Sequence, residues 1–299
     1  MKAAGNIATA VCILFFGAVS VPGAAEIELV RAELISEALT VHPGSVVTVA
    51  LRLEIAEGWH IYWKNPGDSG LPTRVEWILP DGVGASGIAW PAPRIIEDDA
   101  ALTYGYEGTA DLLVEIDVFC GFAGGPYLTI GARVEWLACR DGCIPGSSEV
   151  DLVIPVSDHE PLRDSRHKVY FDRVRGDMPR IPRNWQLSAV AESDRIVLSI
   201  GLPETPRAVP ERVVFFPESE VVVDHGAPQI FREEAGGYVL VMTPSPFAAA
   251  PPTRLRGVLT SSNGWGLEEQ GSAVLVDVPL TREEKLISQR GSDPTKESR

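Results

Sequence analysis

"VTVALRLEI" (Val47–Ile55) alternates: Val47, Val49, Leu51, Leu53 and Ile55 fall on one side, Thr48, Arg52 and Glu54 on the other. A period of two over so many residues describes a half-buried β-strand. The pattern returns at Leu112, Val114, Ile116 and Val118, and again at Ile130, Ala132, Val134 and Trp136. Pro and Gly, 24 and 28 of them, punctuate these runs more densely than helices tolerate. A second set of strands begins at Trp185, with candidates at Ile196–Ile200, Val213–Phe216, Tyr238–Met242, Leu255–Leu259 and Ala273–Val278. Between the sets lies "HEPLRDSRHKVYFDRVRGDMPRIPRN" (159–184), charged and closed by Pro179 and Pro182. Residues 161–184 read as a linker with a short helix near Asp164–Val174. Many short strands between turn signals predict an all-β chain of two antiparallel β-sandwiches in tandem, 26–160 and 185–280. The polar tail, 281–299, reads as disordered.

The first residues bear on what the cysteines can do. Lys2 precedes the apolar run Ile7–Val21, which breaks at Pro22-Gly23-Ala24-Ala25. The run is shorter than the roughly 20 residues of a membrane span. It reads as a signal peptide, 1–25, cut after Ala24 or Ala25. No later segment is apolar and long enough to cross a bilayer, so the expectation is an exported, periplasmic protein in a disulfide-permitting space. Against 41 acidic side chains stand 26 basic ones, a net charge of −15, which argues against nucleic acid and against docking on anionic lipid. There is no nucleophilic serine motif, no phosphate loop and no paired-carboxylate signature.

Export would remove Cys12 and leave Cys120, Cys139 and Cys143, an odd number. Two of them flank an Asp-Gly in "VEWLACRDGCIPG" (134–146). Asp-Gly is a hairpin signal because Gly accepts positive φ, so Cys139 and Cys143 stand at the shoulders of a turn, near the roughly 5.5–6 Å Cα spacing of a disulfide. A structural staple would do better by closing more chain: about 2 kcal/mol for this loop against about 3 for Cys120–Cys139. A zinc site usually takes four Cys or His ligands, and no histidine is near in sequence. Arg140 favours a thiolate and Asp141 opposes it. Spacing alone leaves redox pair, structural disulfide and metal clip open.

Several stretches resemble the periplasmic N-terminal region of the thiol:disulfide interchange protein DsbD family, on its ScsB-type side, named for suppression of copper sensitivity. They are "GWHIYWKNPGDSGLPTRVEWILPDG" (58–82), "WPAPRI" (90–95), "YGYEG" (104–108), "WLACRDGCIPG" (136–146) and "RVVFFPESEVVVDHGAPQ" (212–229). The resemblance implies immunoglobulin-like sandwiches and thiol–disulfide exchange through a Cys139–Cys143 pair, with Cys120 left as a free thiol. It implies no cofactor and no metal. The partners it implies are periplasmic thioredoxin-like or disulfide isomerase proteins. Full-length members continue into transmembrane helices and a thioredoxin-like domain; this sequence ends at Arg299 with neither, which implies a separate membrane electron donor.

The family covers its pair with an aromatic-bearing loop, which corresponds here to Ala101–Tyr106, with Tyr104 as the nearest aromatic. Tyr62 falls where the family has an aromatic beside the cysteines, and Trp59 and His60 complete the expected surround. Thr103 stands where an aromatic is typical, and Asp98 and Asp99 precede it. Each has a plainer reading: Trp59 and Trp63 as core or edge aromatics, His60 as a satisfied polar contact, Asn65–Asp68 as turn chemistry, Cys120 as a buried strand-end thiol. Two other functions compete with exchange: a protein-binding module whose disulfide is structural, and a copper-handling protein, since thiolates suit Cu(I). Only three methionines argue against the latter.

Overall fold

The computed structural model describes residues 28–98, 101–248, 252–267 and 271–282. The predicted signal peptide, and the tail beyond Arg282, lie outside the described residues. The described residues are mostly β, with one helix among them. Two sheets come from its first half. One takes β1 (Val30–Ser36), β2 (Ser45–Ile55), β5 (Val83–Ala85) and β8 (Thr109–Val118), in the order β1-β2-β8-β5. The other takes β3 (His60–Gly67), β4 (Arg74–Ile78), β6 (Arg94–Asp98), β7 (Ala101–Glu107), β9 (Tyr127–Cys139) and β10 (Cys143–Pro155). Its order is β10-β9-β3-β7-β6, with β4 also on β9. The alternation of Val47–Ile55 does what it predicts: Val47, Val49, Leu51, Leu53 and Ile55 enter one core with Ile130, Ala132, Val134 and Trp136 of the facing sheet.

The strand set after Trp185 forms β11 (Gln186–Ala191), β12 (Ile196–Gly201), β13 (Val214–Pro217), β14 (Ile230–Glu234), β15 (Gly237–Met242), β16 (Arg254–Thr260) and β17 (Ala273–Arg282). β17 pairs antiparallel with β16 and then, at its end, parallel with β11. Its side chains and those of β12, β15 and β16 enclose a second core around Phe215, Leu240, Leu255 and Trp265. Neighbouring side chains of the same strands face the other way. Phe216 and Val258 join the first core instead, and Val214 and Leu275 pack against it. That double burial explains why "VVFFP" (213–217) has no polar face.

Helix α1 (Lys168–Asp177) falls within the segment read as a linker. It covers the outer side of the first sheet: Phe171 and Val174 pack on Ala50 and Leu113. Asp111 of β8 is buried and takes hydrogen bonds from Arg52, Tyr170 and Arg173. At the other end Arg175 grips Glu37 with both terminal nitrogens, at 2.8 and 2.5 Å. That hydrogen bond, above all, holds the Glu37 carboxyl below its ordinary 4.5. A carboxyl with a lowered folded pKa adds stability that is complete above the ordinary value and lost as the pH falls through the lowered one. Arg175→Ala should therefore cost about 1–3 kcal/mol near neutral pH. The cost should fade below pH 4.5, which thermal melts of both proteins across pH would read.

Candidate functional site

Strand alternation sets the two cysteines apart from the core. Along β9, Trp136 and Ala138 point inward, so Cys139 points to the outer face of the sheet. Along β3, Ile61 and Trp63 point inward, which puts His60 and Tyr62 on that same outer face. Register completes the arrangement: His60 faces Cys139 on one side, and Cys143, the first residue of β10, faces it on the other. The two cysteines form a disulfide with Cα atoms 4.2 Å apart. This is shorter than the expected spacing because directly facing positions of adjacent antiparallel strands approach to roughly 4.5 Å. Arg140–Gly142 close the turn, as expected, but Gly142 does so without positive φ.

The two sulfurs are not equivalent. Cys139 is 3% exposed, whereas Cys143 is exposed. Tyr62, itself 2% exposed, donates its hydroxyl to Cys139 Sγ at 3.0 Å and lies 3.8 Å from Cys143 Sγ. His60 meets the Tyr62 ring edge-on, centroids 5.3 Å apart. Trp59 stacks under the Arg140 guanidinium at 5.0 Å, and Arg140 in turn donates to Asp141. A glycine makes the Tyr62 seat. Gly70 has φ +102° and passes so close over the ring that a Cβ there would lie 2.2 Å from it. Next along β10 from Cys143, Ile144 lines a groove of about 880 Å³ together with Leu71, Trp136 and Leu137.

Tyr62 and His60 thus gather at the pair, and Trp59 packs against the first core and meets the turn through Arg140; Tyr104 does not reach the pair. Ala101–Tyr106 is not a loop but β7, paired with β6 and β3. Tyr104 points into the first core with Trp63, on the side of the sheet away from Tyr62. It packs on Phe216 and His225 from the second half. Burial, and then the charges of Asp68 and Asp224, push its phenol well above the usual range. Cys120 is free, as expected, but it is exposed and not buried. β8 ends at Val118, and the chain turns as Phe122 N bonds back to Phe119 O, so the alternation that would have turned Cys120 inward has already stopped.

In the sequence Asn65 reads only as turn chemistry, and Gly70 and His225 carry no site reading. Asn65 is fully buried, and rather than serving a turn alone it donates from Nδ2 to Pro217 O across the halves. Gly70 is legible only as a break in an aromatic-rich stretch. His225 carries no signal of its own.

Residues 30–156 match the family described as "Thiol:disulfide interchange protein DsbD, N-terminal". Among solved structures, the N-terminal periplasmic domain of ScsB from Proteus mirabilis aligns over 84% of this chain and 92% of its own, with a TM-score of 0.58 at 15% identity. The major pilins BcpA*(D312A) of Bacillus cereus and SpaD of Corynebacterium diphtheriae align far more loosely. BcpA*(D312A) covers 84% of this chain and 66% of its own at TM-score 0.27 and 10% identity. SpaD covers 83% and 59% at 0.30 and 9%. No curated protein matches the sequence. The matched segment holds both β-sheets of the first half, the disulfide and Tyr62, a set that fits thiol–disulfide exchange. Residues 30–156 thus match the DsbD N-terminal family, and the fold is similar to that of the ScsB N-terminal domain.

Proposed function

We propose that the protein is an exported, periplasmic thiol–disulfide exchange module that passes electron pairs between other thiol proteins through Cys139 and Cys143. One observation carries this: a disulfide between an exposed cysteine, Cys143, and a buried one, Cys139, whose sulfur lies under a hydroxyl donor. A staple has no need of such asymmetry; an exchanging pair does, because attack comes on one sulfur and the other must leave. A donor's thiolate attacks Cys143 Sγ along the S–S axis. The Cys139–Cys143 bond breaks, its electron pair stays on Cys139, and a mixed disulfide joins Cys143 to the donor. The Tyr62 hydroxyl is already aimed at the atom on which that charge arrives. The donor's second thiolate then attacks its own sulfur in the mixed disulfide and releases Cys143; with two protons taken up, the pair is a dithiol. Delivery to an acceptor disulfide runs the same steps in reverse, with Cys143 attacking and Cys139 resolving. Thioredoxin-like or isomerase-type proteins of the periplasm suit the acceptor role, and a membrane-bound reductase the donor role.

The reduction potential of the pair tests the reading. An exchanging pair should equilibrate with glutathione or thioredoxin at a potential above about −300 mV, the region below which structural disulfides lie. Mass spectrometry of the alkylated protein across a redox series gives the value. A potential well below that range returns the pair to the role of staple and leaves a binding module.

A further inference from the structure

The exchange chemistry above uses only the first half of the chain. We propose that the second half holds Tyr62 over Cys139 through the segment 67–73, with His225 as the positioning residue; the proposal rests on the exchange reading. His225 sits in a turn that is itself fixed. Asp224 N donates to Thr243 O at 2.9 Å, and Asp224 Oδ1 accepts from Gly226 N at 3.1 Å. The His225 side chain is 4% exposed and presents Nδ1 to Asp68 Oδ1 at 3.4 Å. Its Nε2 is buried with no partner, and its ring stands edge-on to Tyr104. A histidine buried at that cost is held in one place, and what it faces is Asp68.

Asp68 opens the segment that covers Tyr62. Its N donates to Leu102 O at 3.1 Å, and its Oδ2 accepts from Leu102 N at 3.3 Å. Two residues on, Gly70 lies against the Tyr62 ring, and at the far end Thr73 Oγ1 donates to Tyr62 O at 3.4 Å. The segment is thus tied down at Asp68 by His225 and Leu102, and at Thr73 by Tyr62 itself, with the ring between. β3 is joined to the second half alongside, by Asn65 to Pro217 O and by Lys64 to Glu218. Release at Asp68 leaves the backbone of β3 in place and frees the cover, so the ring leaves its seat more often and Cys139 Sγ opens to solvent.

The experiment reads that opening without any redox partner. In the full chain carrying Cys120→Ser and Cys143→Ser, Cys139 is alkylated by iodoacetamide at a pH where the thiol is ionised. His225→Leu keeps bulk and loses the ring nitrogen that faces Asp68; the rate should rise about three- to tenfold, the effect of one lost polar contact on a local opening. His225→Asn, whose amide nitrogen can take the place of Nδ1, should stay within twofold of the parent. Asp68→Ala approaches the contact from the other side. It also removes the bond from Leu102 N, so the rate should rise at least as much as in His225→Leu, and the double variant should add nothing to Asp68→Ala. In a Tyr62→Ala background His225→Leu should have no further effect. Circular dichroism checks that each variant is folded, and if His225→Leu is not, Asp68→Ala alone decides. Unchanged alkylation in folded His225→Leu or Asp68→Ala overturns the proposal, as does an effect that persists without Tyr62. Failure of the exchange reading appears elsewhere, in partner trapping, so the two are told apart.

Discussion

A variant that keeps Cys143 as its sole cysteine traps redox partners, and one that keeps Cys139 does not. The expectation follows from access. In-line attack needs an open path to the sulfur along the S–S axis. Cys139 is sealed at 3% exposure beneath the Tyr62 hydroxyl, while Cys143 begins the exposed edge of β10 beside the groove. With Cys120→Ser in both, the Cys139→Ser protein should accumulate mixed disulfides because no thiol remains to resolve them. The Cys143→Ser protein should show at least tenfold fewer, a step that corresponds to about 1.4 kcal/mol in a barrier. Neither change should unfold the chain, since the small loop adds only about 2 kcal/mol against a typical stability of about 5–15. Non-reducing gels and mass spectrometry of species captured in the native exported compartment decide it. Equal trapping by both variants would overturn the assignment of roles; no trapping by either would leave a binding module.

Much of this arrangement is legible in the sequence, and the limits are physical. Alternation reports burial of one strand at a time, which is why Val47–Ile55 and Ile130–Trp136 could be oriented from sequence. The same rule, applied past the end of a strand, misplaced Cys120: periodicity does not announce where β8 stops, and the turn at Phe119–Phe122 stops it. Tyr104 failed for another reason. A resemblance supplied it as a cover, but which face of β7 it occupies depends on pairing with β6 and β3. Asn65 shows a third limit. Asn-Pro-Gly-Asp is strong turn chemistry, and Gly67 N does bond to Asn65 Oδ1, yet the same side chain also reaches Pro217, a contact 152 residues away that no local reading contains. What the sequence could carry to the site was Tyr62 and the pair; what it could not carry was which cysteine is exposed.

Tyr62 has two tasks, and two substitutions should pull them apart. Tyr62→Phe keeps the ring under Gly70 and removes only the donor to Cys139 Sγ. The hydrogen bond is weak to a disulfide sulfur and strong to a thiolate, so it favours the reduced pair and the state leading to it. Hydrogen bonds to charged groups contribute about 1.5–3 kcal/mol. Exchange through Cys143 should therefore slow about tenfold or more. Measured at a pH where the thiols are ionised, the potential should fall by about 30 mV or more, since losing the donor weakens only the reduced form. Tyr62→Ala removes the cover as well. Cys139 then becomes open to attack, and the variant with Cys139 as sole cysteine, silent beneath Tyr62, should begin to trap partners. Gly70→Ala should move the protein in the same direction without touching the tyrosine, because its Cβ would need the space 2.2 Å from the ring and positive φ at residue 70 strains any side chain. If Tyr62→Phe matches the parent in both rate and potential, the hydroxyl is a bystander. If Tyr62→Ala leaves Cys139 silent, the seal belongs to the strand and not to the ring.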